Sequence, residues 1–276
     1  MRKAKDKTLK FLMSLCAAVT CLLLIGLIGY LLYRGIPGIN AKFLTTQTSY
    51  ISDSIGILPN ILNTLYLIVL VMIIVVPLGV GAAVYLTEYA SNKRISNAIG
   101  FAVETLTGIP SIIFGLVGML FFTQILGLRQ GILAGSLTLI IMVLPTVISN
   151  TKESLLAVPQ SYREGALALG SGKWHMVCTV VLPNAVDGIV TGCILAVGRV
   201  VGESAALLFT AGFGLKLLGF AEALQSSAAS LTVALYIYAS EEGKFDVAFS
   251  IAVILICITL IINLAASLVG KKVRKS

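Results

Sequence analysis

Charge is scarce in this chain: of 276 residues only 12% are Asp, Glu, Lys or Arg, while 58% are hydrophobic. A soluble domain rarely combines so few charges with so much apolar surface, so a bilayer is the expected solvent. Histidine is reduced to one, His175, which excludes a His-rich zinc site and leaves no catalytic triad in view. No G-x-S-x-G context surrounds Ser111 or Ser204, so both read as packing or pathway residues rather than nucleophiles. The phosphate-cradling pattern G-x-x-x-x-G-K followed by Ser or Thr is absent, so nucleotide hydrolysis is not expected on this chain. The five cysteines (Cys16, Cys21, Cys178, Cys193 and Cys257) lack metal-ligand spacing and read as small buried hydrophobes. Acidic residues are the rarer sign, 12 against 20 basic, giving a formal net charge of +8. The basic residues gather at Arg2, Lys3, Lys5, Lys7 and Lys10 and at Lys271, Lys272, Arg274 and Lys275, beside hydrophobic runs. That is the signature of positive-inside topology rather than of a nucleic-acid surface.

What remains is a series of apolar runs, each near the roughly 20 residues that a span requires. A first span is expected over residues 11–33, too long for the core of a signal peptide. Polar residues 34–56 then form an exterior connection. The second span covers residues 59–86 with Pro77 inside it, and a loop over 87–97 carries Glu88, Lys93 and Arg94. The third, over 98–126, contains Thr107-Gly108-Ile109-Pro110-Ser111, which predicts a kink, while small residues allow close helix approach. A fourth span ends near residue 149, a fifth covers 184–209 and a sixth 247–269. Residues 210–246 read as exterior loop with short helices, partly re-entrant. Six spans place both termini in the cytoplasm, in an all-α polytopic membrane protein.

One substantially polar segment interrupts this pattern, residues 159–183. Pro159 suits a first helical turn and Gly170 a helix stop; a second short helix is expected from Ser171, closed by Leu182-Pro183. Tyr162, Ala166 and Leu169 fall on one face of the first helix, with Arg163 and Glu164 available for charged contacts at its rim. Gly165, Ala166 and Ala168 keep that helix thin enough for a partner groove. Periodicity alone equally allows a helix lying on the membrane surface. Trp174 packs at the interface or against a partner.

The run of Glu164, Gly165 and Ala166, then Gly170, then Leu182 and Pro183, resembles the EAA loop of ABC importer permeases, with Gly165 where the consensus has alanine. TGIPSIIFG over 107–115 looks like a segment shared by phosphate-transporter permeases. RVVGESAALLFTAG over 199–212 looks more narrowly like the PstA-type subunit. The resemblance implies a type I (MetI-like) permease fold, with residues 57–265 as the transmembrane domain, 152–183 as its cytoplasmic ATPase-coupling loop, 1–56 as an N-terminal extension and 266–276 as a basic cytoplasmic tail. It implies translocation of inorganic phosphate across the cytoplasmic membrane, without catalysis or cofactor on this chain. The implied partners are a second, PstC-type permease subunit, two copies of an ATPase carrying ATP and Mg, and an external phosphate-binding protein. A permease for another oxyanion such as molybdate or sulfate, an ion-coupled carrier without an ATPase, and a non-transporting scaffold are the competing readings.

Arg199 and Glu203 lie four positions apart in an apolar run and share one face of an unbroken helix. A central arginine costs about 2.5–3.5 kcal/mol on insertion scales, so it needs a reason. Bordering an anion path with Glu203 moderating its charge is one; an ion pair holding helices together is the other. Glu104 fits the inner interface or a cavity, and Asp187 a helix-start charge.

Overall fold

The computed structural model describes residues 2–49, 54–90 and 92–275, with side chains described except at 2–5, 93, 269 and 271–275. Of the two basic clusters, only Lys7 and Lys10 have described side chains; those of Arg2, Lys3, Lys5, Lys271, Lys272, Arg274 and Lys275 lie outside that set. Helix α1 spans Arg2–Gly35 and leads to a 3-10 turn, Ile36–Gly38, and a short helix α2, Ala41–Thr45, whose first turn is capped by the Asn40 side chain. Two short antiparallel strands follow, β1 (Gln47–Ser49) and β2 (Ser54–Ile57), so the expected exterior connection carries a small hairpin in an otherwise helical chain.

Helix α3, Leu58–Val84, runs on through a π-helical stretch, Tyr85–Tyr89. Helix α4 (Lys93–Thr107) and helix α5 (Ser111–Gly118, extended by π-helical Met119–Ile125) meet at a bend of 100°. The expected third span is therefore a broken pair rather than one kinked helix. Pro110 supplies no N–H and holds extended backbone with ψ 139°, which ends α4 and restarts the chain in a new direction. Helix α6 covers Ile132–Leu156 and helix α7 Gln160–Ala168. Helix α8 (Lys173–Met176), a π-helical stretch (Val177–Val181) and α9 (Leu182–Gly202) form one uninterrupted rod.

That rod corrects the expected closure at Leu182-Pro183. The wider π turns, in which Leu182 N–H bonds the Val177 carbonyl, absorb the proline's missing donor and let the helix continue. The rod stops at Gly202 and restarts as α10, Ala205–Thr210, so the fifth span does not reach residue 209 unbroken. Short helices α11 (Phe220–Ala223) and α12 (Leu231–Tyr236, extended by π-helical Ile237–Glu241) fill the region before α13, Phe245–Lys275.

Five of these helices, among the described residues, are long and apolar enough to cross a membrane, or six if the bent pair counts as one span. Van der Waals packing holds such spans together, since lipid is as apolar as the helix surfaces. The main cluster joins Leu67, Val71 and Val75 of α3 with Leu139, Met142 and Val147 of α6 and Ala196 and Val200 of α9. On α9, Gly188, Gly192 and Ala196 recur every four residues; a Cβ at Gly192 would sit 2.9 Å from Asn150 of α6, so this stripe allows the close approach. At the opposite end of the bundle from α7, α1 meets the start of α13: Ser250 Oγ donates to the Gly35 carbonyl at 2.9 Å, and Arg34 pairs with Asp246 at 3.1 Å. Most of α1 beyond that contact is uncovered.

Candidate functional site

Arg163 and Glu203 are buried charged residues, and they mark two places inside the apolar scaffold. The first is the α6–α7–α8 corner. Leu155 ends α6, the chain turns through Val158 and Pro159, and Pro159 with ψ 138° starts α7 without an internal donor to orphan. The Arg163 guanidinium points inward rather than lying at the rim. Its Nε and Nη2 donate to Glu88 Oε1 at 3.0 and 2.9 Å, Nη1 donates to the Val158 carbonyl at 2.7 Å, and Nη2 also reaches the Leu155 carbonyl at 2.7 Å. The two side chains are 11% and 7% exposed, so the ion pair is buried. These carbonyls lie at and just past the end of α6, where the Leu155 carbonyl also accepts from the Val158 N–H at 3.3 Å.

Ala166 packs against the cluster formed by Ala83 and Val84 of α3, Leu155 and Val158, Met176 and Val177, Val181 and Ala185. The rest of α7 is open: Glu164 and Gly165 are exposed, Tyr162 and Leu167 are half exposed, and Leu169 is 91% exposed. Gly170 turns the chain with φ +81°, a left-handed conformation that glycine adopts without a steric penalty. Trp174 is exposed and borders an apolar groove with Val80, Tyr85 and Leu182, while Lys173 Nζ lies 5.0 Å from the Tyr89 ring centre. Leu182 is partly buried and Pro183 exposed, both on the rod some distance along from the turn.

The second place is the break between α9 and α10. Arg199, near the end of α9, donates from Nη1 to Thr146 Oγ1 on α6 at 3.3 Å. Glu203 does not pair with it. Beyond Gly202 the backbone leaves the helix, with Glu203 at φ −80° and ψ 122°, so the two residues no longer share a helical face. The Glu203 carboxylate instead accepts from the Ala206 N–H at 3.0 Å and serves the first turn of α10, while Thr232 Oγ1 donates to its carbonyl at 2.8 Å. Among the described residues no acidic side chain forms an ion pair with Arg199. Ser204 and Gly202 together form a stop-and-restart signal that i,i+4 spacing overlooked. Glu88 was also missed as a site residue; its only sequence mark is an acid in the last turn of an apolar run. Glu104 is exposed on α4, and Asp187 lies within the continuous rod rather than at a helix start. No group of three or more potential metal ligands occurs among the described residues.

Residues 75–275 match the family described as the binding-protein-dependent transport system inner membrane component. Along 99% of its length the chain is 37% identical to the probable ABC transporter permease protein YqgI of Bacillus subtilis, covering 98% of that relative. It is 31% identical to the phosphate transport system permease protein PstA of Haemophilus influenzae, over 76% of this chain and 74% of the relative. It is 35% identical to PstA 1 of Mycobacterium tuberculosis over 71% of this chain, which spans 64% of that longer relative. Among solved structures, a bacterial ABC transporter of alginate in complex with its periplasmic protein aligns over all of this chain with a TM-score of 0.70 at 17% identity. The MetNI methionine ABC transporter aligns over 79% of it with a TM-score of 0.63 at 22% identity. These last two establish the shared fold.

Proposed function

The chain belongs to the inner-membrane components of binding-protein-dependent transport systems, a permease subunit without a nucleotide-binding motif, and on that premise we propose that its solute is inorganic phosphate. The observation that carries the reading is Arg199. A guanidinium in an apolar span with one hydroxyl contact and, among the described residues, no carboxylate partner keeps donors free, in a fork that matches tetrahedral oxyanions. Relatives named as phosphate permeases support the same choice. Glu203, engaged on α10, leaves that charge unneutralised instead of moderating it.

The remaining assignments follow from the same reading. On this reading the α7 corner faces the cytoplasm and both termini lie on that side, as the basic clusters at the two ends favour. The partners are a second, PstC-type permease subunit, two copies of an ATPase that binds ATP and Mg, and an external phosphate-binding protein. Glu164, Gly165 and Leu169 form the ATPase-facing surface, while Ala166 seats the helix against the spans; Gly170 sets its angle, and Leu182 and Pro183 lie on the rod that carries motion into the spans. Arg199 borders the pathway.

A second reading is a permease for another oxyanion such as sulfate or molybdate; the name of the Bacillus relative states no substrate. The test is uptake of radiolabelled phosphate by ATP-loaded vesicles holding the complete complex, with sulfate and molybdate as competitors. Phosphate accumulation that neither competitor reduces supports the proposal; uptake of sulfate or molybdate in its place refutes it. Uptake persisting without the ATPase subunit would instead indicate an ion-coupled carrier.

A further inference from the structure

Helix α7 has one face open and one residue tied deeply into the spans. Its open side presents Tyr162, Leu167 and Leu169. Its tie is Arg163, which binds the end of α3 through Glu88 and the end of α6 through the Leu155 and Val158 carbonyls. The consequences differ for the three spans around it. The chain itself joins α7 to α6 on one side and, through Gly170, to the α8–α9 rod on the other. No such connection reaches α3, which is separated from α7 by three intervening helices, α4, α5 and α6. Ala83 and Val84 of α3 touch the corner through apolar contacts, which can slide; the directional link is the pair of N–H bonds to Glu88. Of the three ion pairs between described residues it is the only one with both side chains nearly covered.

We infer that Arg163 and Glu88 form the strut by which a displacement of α7 also moves α3. Arg163 is a positioning residue: it touches neither solute nor nucleotide. Its planar fork holds a carboxylate and two carbonyls in fixed directions, which a lysine's single ammonium cannot reproduce. The π-helical turn Tyr85–Tyr89 re-aims the end of α3 and places Glu88 within reach. Without the strut, a push on this nine-residue helix is absorbed by tilting about the Gly170 turn, and α3 stays behind. The inference deepens the proposed function and rests on α7 as the ATPase-facing element.

The test compares Glu88→Gln with the unaltered chain in the complete complex, reconstituted in vesicles, with inorganic phosphate as probe. The expected result is an ATPase subunit that co-purifies at the usual yield and still hydrolyses ATP, while phosphate moved per ATP falls about tenfold, within the usual range of coupling between sites. Glu88→Asp, which keeps the charge, recovers part of the loss. An unchanged ratio overturns the inference, and so does loss of the ATPase subunit from Glu88→Gln, since the pair would then only build the docking surface. If the unaltered complex carries no phosphate, the substrate reading fails separately; stimulation of ATP hydrolysis by the external binding protein then decides, and full stimulation in Glu88→Gln overturns the strut. Should Glu88→Gln not accumulate in the membrane, spin labels at Ala90→Cys and Ala168→Cys, in a chain without its native cysteines, report the α3–α7 separation directly. A constant separation with and without a non-hydrolysable ATP analogue supports a rigid strut, and a separation that changes with nucleotide refutes it.

Discussion

Arg163 and Glu88 stand 75 positions apart in the sequence and meet at 2.9 Å with both side chains nearly covered. Removing the arginine leaves a carboxylate buried without its partner, which costs about 3–5 kcal/mol. Arg163→Ala should therefore lower the thermal stability of the detergent-purified chain far more than Glu164→Ala. The latter side chain is exposed and its loss should stay within about 0.5 kcal/mol. A thermal-shift series on the two variants checks the contrast.

Gly170 turns the chain at φ +81° with nothing within 4 Å of the position a Cβ would take. A substitution there meets backbone strain rather than a clash. Gly170→Val should cost about 1–2 kcal/mol and weaken recovery of the ATPase subunit, while Gly170→Asn, which visits this region more readily, should be milder. Co-purification yields of the two variants measure the difference.

Gly115 of α5 tests the close approach of the broken pair to α10. A Cβ there would lie 2.7 Å from the Ala206 Cα, and backbone must move to admit it. Gly115→Ala should destabilise by about 1–3 kcal/mol, the usual range for overpacking. Gly81→Ala on α3, where the space is open, should be neutral or gain roughly 0.4–1 kcal/mol by limiting the unfolded chain. Unfolding midpoints in detergent compare them.

Arg199→Ala should reduce phosphate uptake at least tenfold, about 1.4 kcal/mol, with unchanged membrane abundance. Arg199→Lys should retain part of the rate, because charge remains but the fork is lost. Thr146→Val removes one 3.3 Å contact and should have a small effect. Initial uptake rates normalised to the amount of chain in the membrane distinguish these outcomes.

Much of this architecture was legible in the sequence because apolar length and loop polarity report directly on the bilayer. The spans other than the broken third and the interrupted fifth, the first helix of the polar corner and the glycine turn all follow from local pattern. Three features did not. The bend between α4 and α5 reaches 100° because Pro110 ends one helix before Ser111 begins the next, and a proline signal alone does not give an angle. The supposed Arg199–Glu203 pair relied on an unbroken helix, whereas Gly202 ends it and Glu203 turns to the Ala206 N–H. The Arg163–Glu88 contact is a tertiary event between segments that no periodicity connects.

The side of the membrane on which α7 stands tests the whole account most directly. Leu169, 91% exposed next to the Gly170 turn, offers the place to ask. A Leu169→Cys variant in a cysteine-free background should resist a membrane-impermeant thiol reagent in intact cells and react in inside-out vesicles, where added ATPase subunit should protect it. Labelling from the outside of intact cells would contradict the proposed route of energy into this permease.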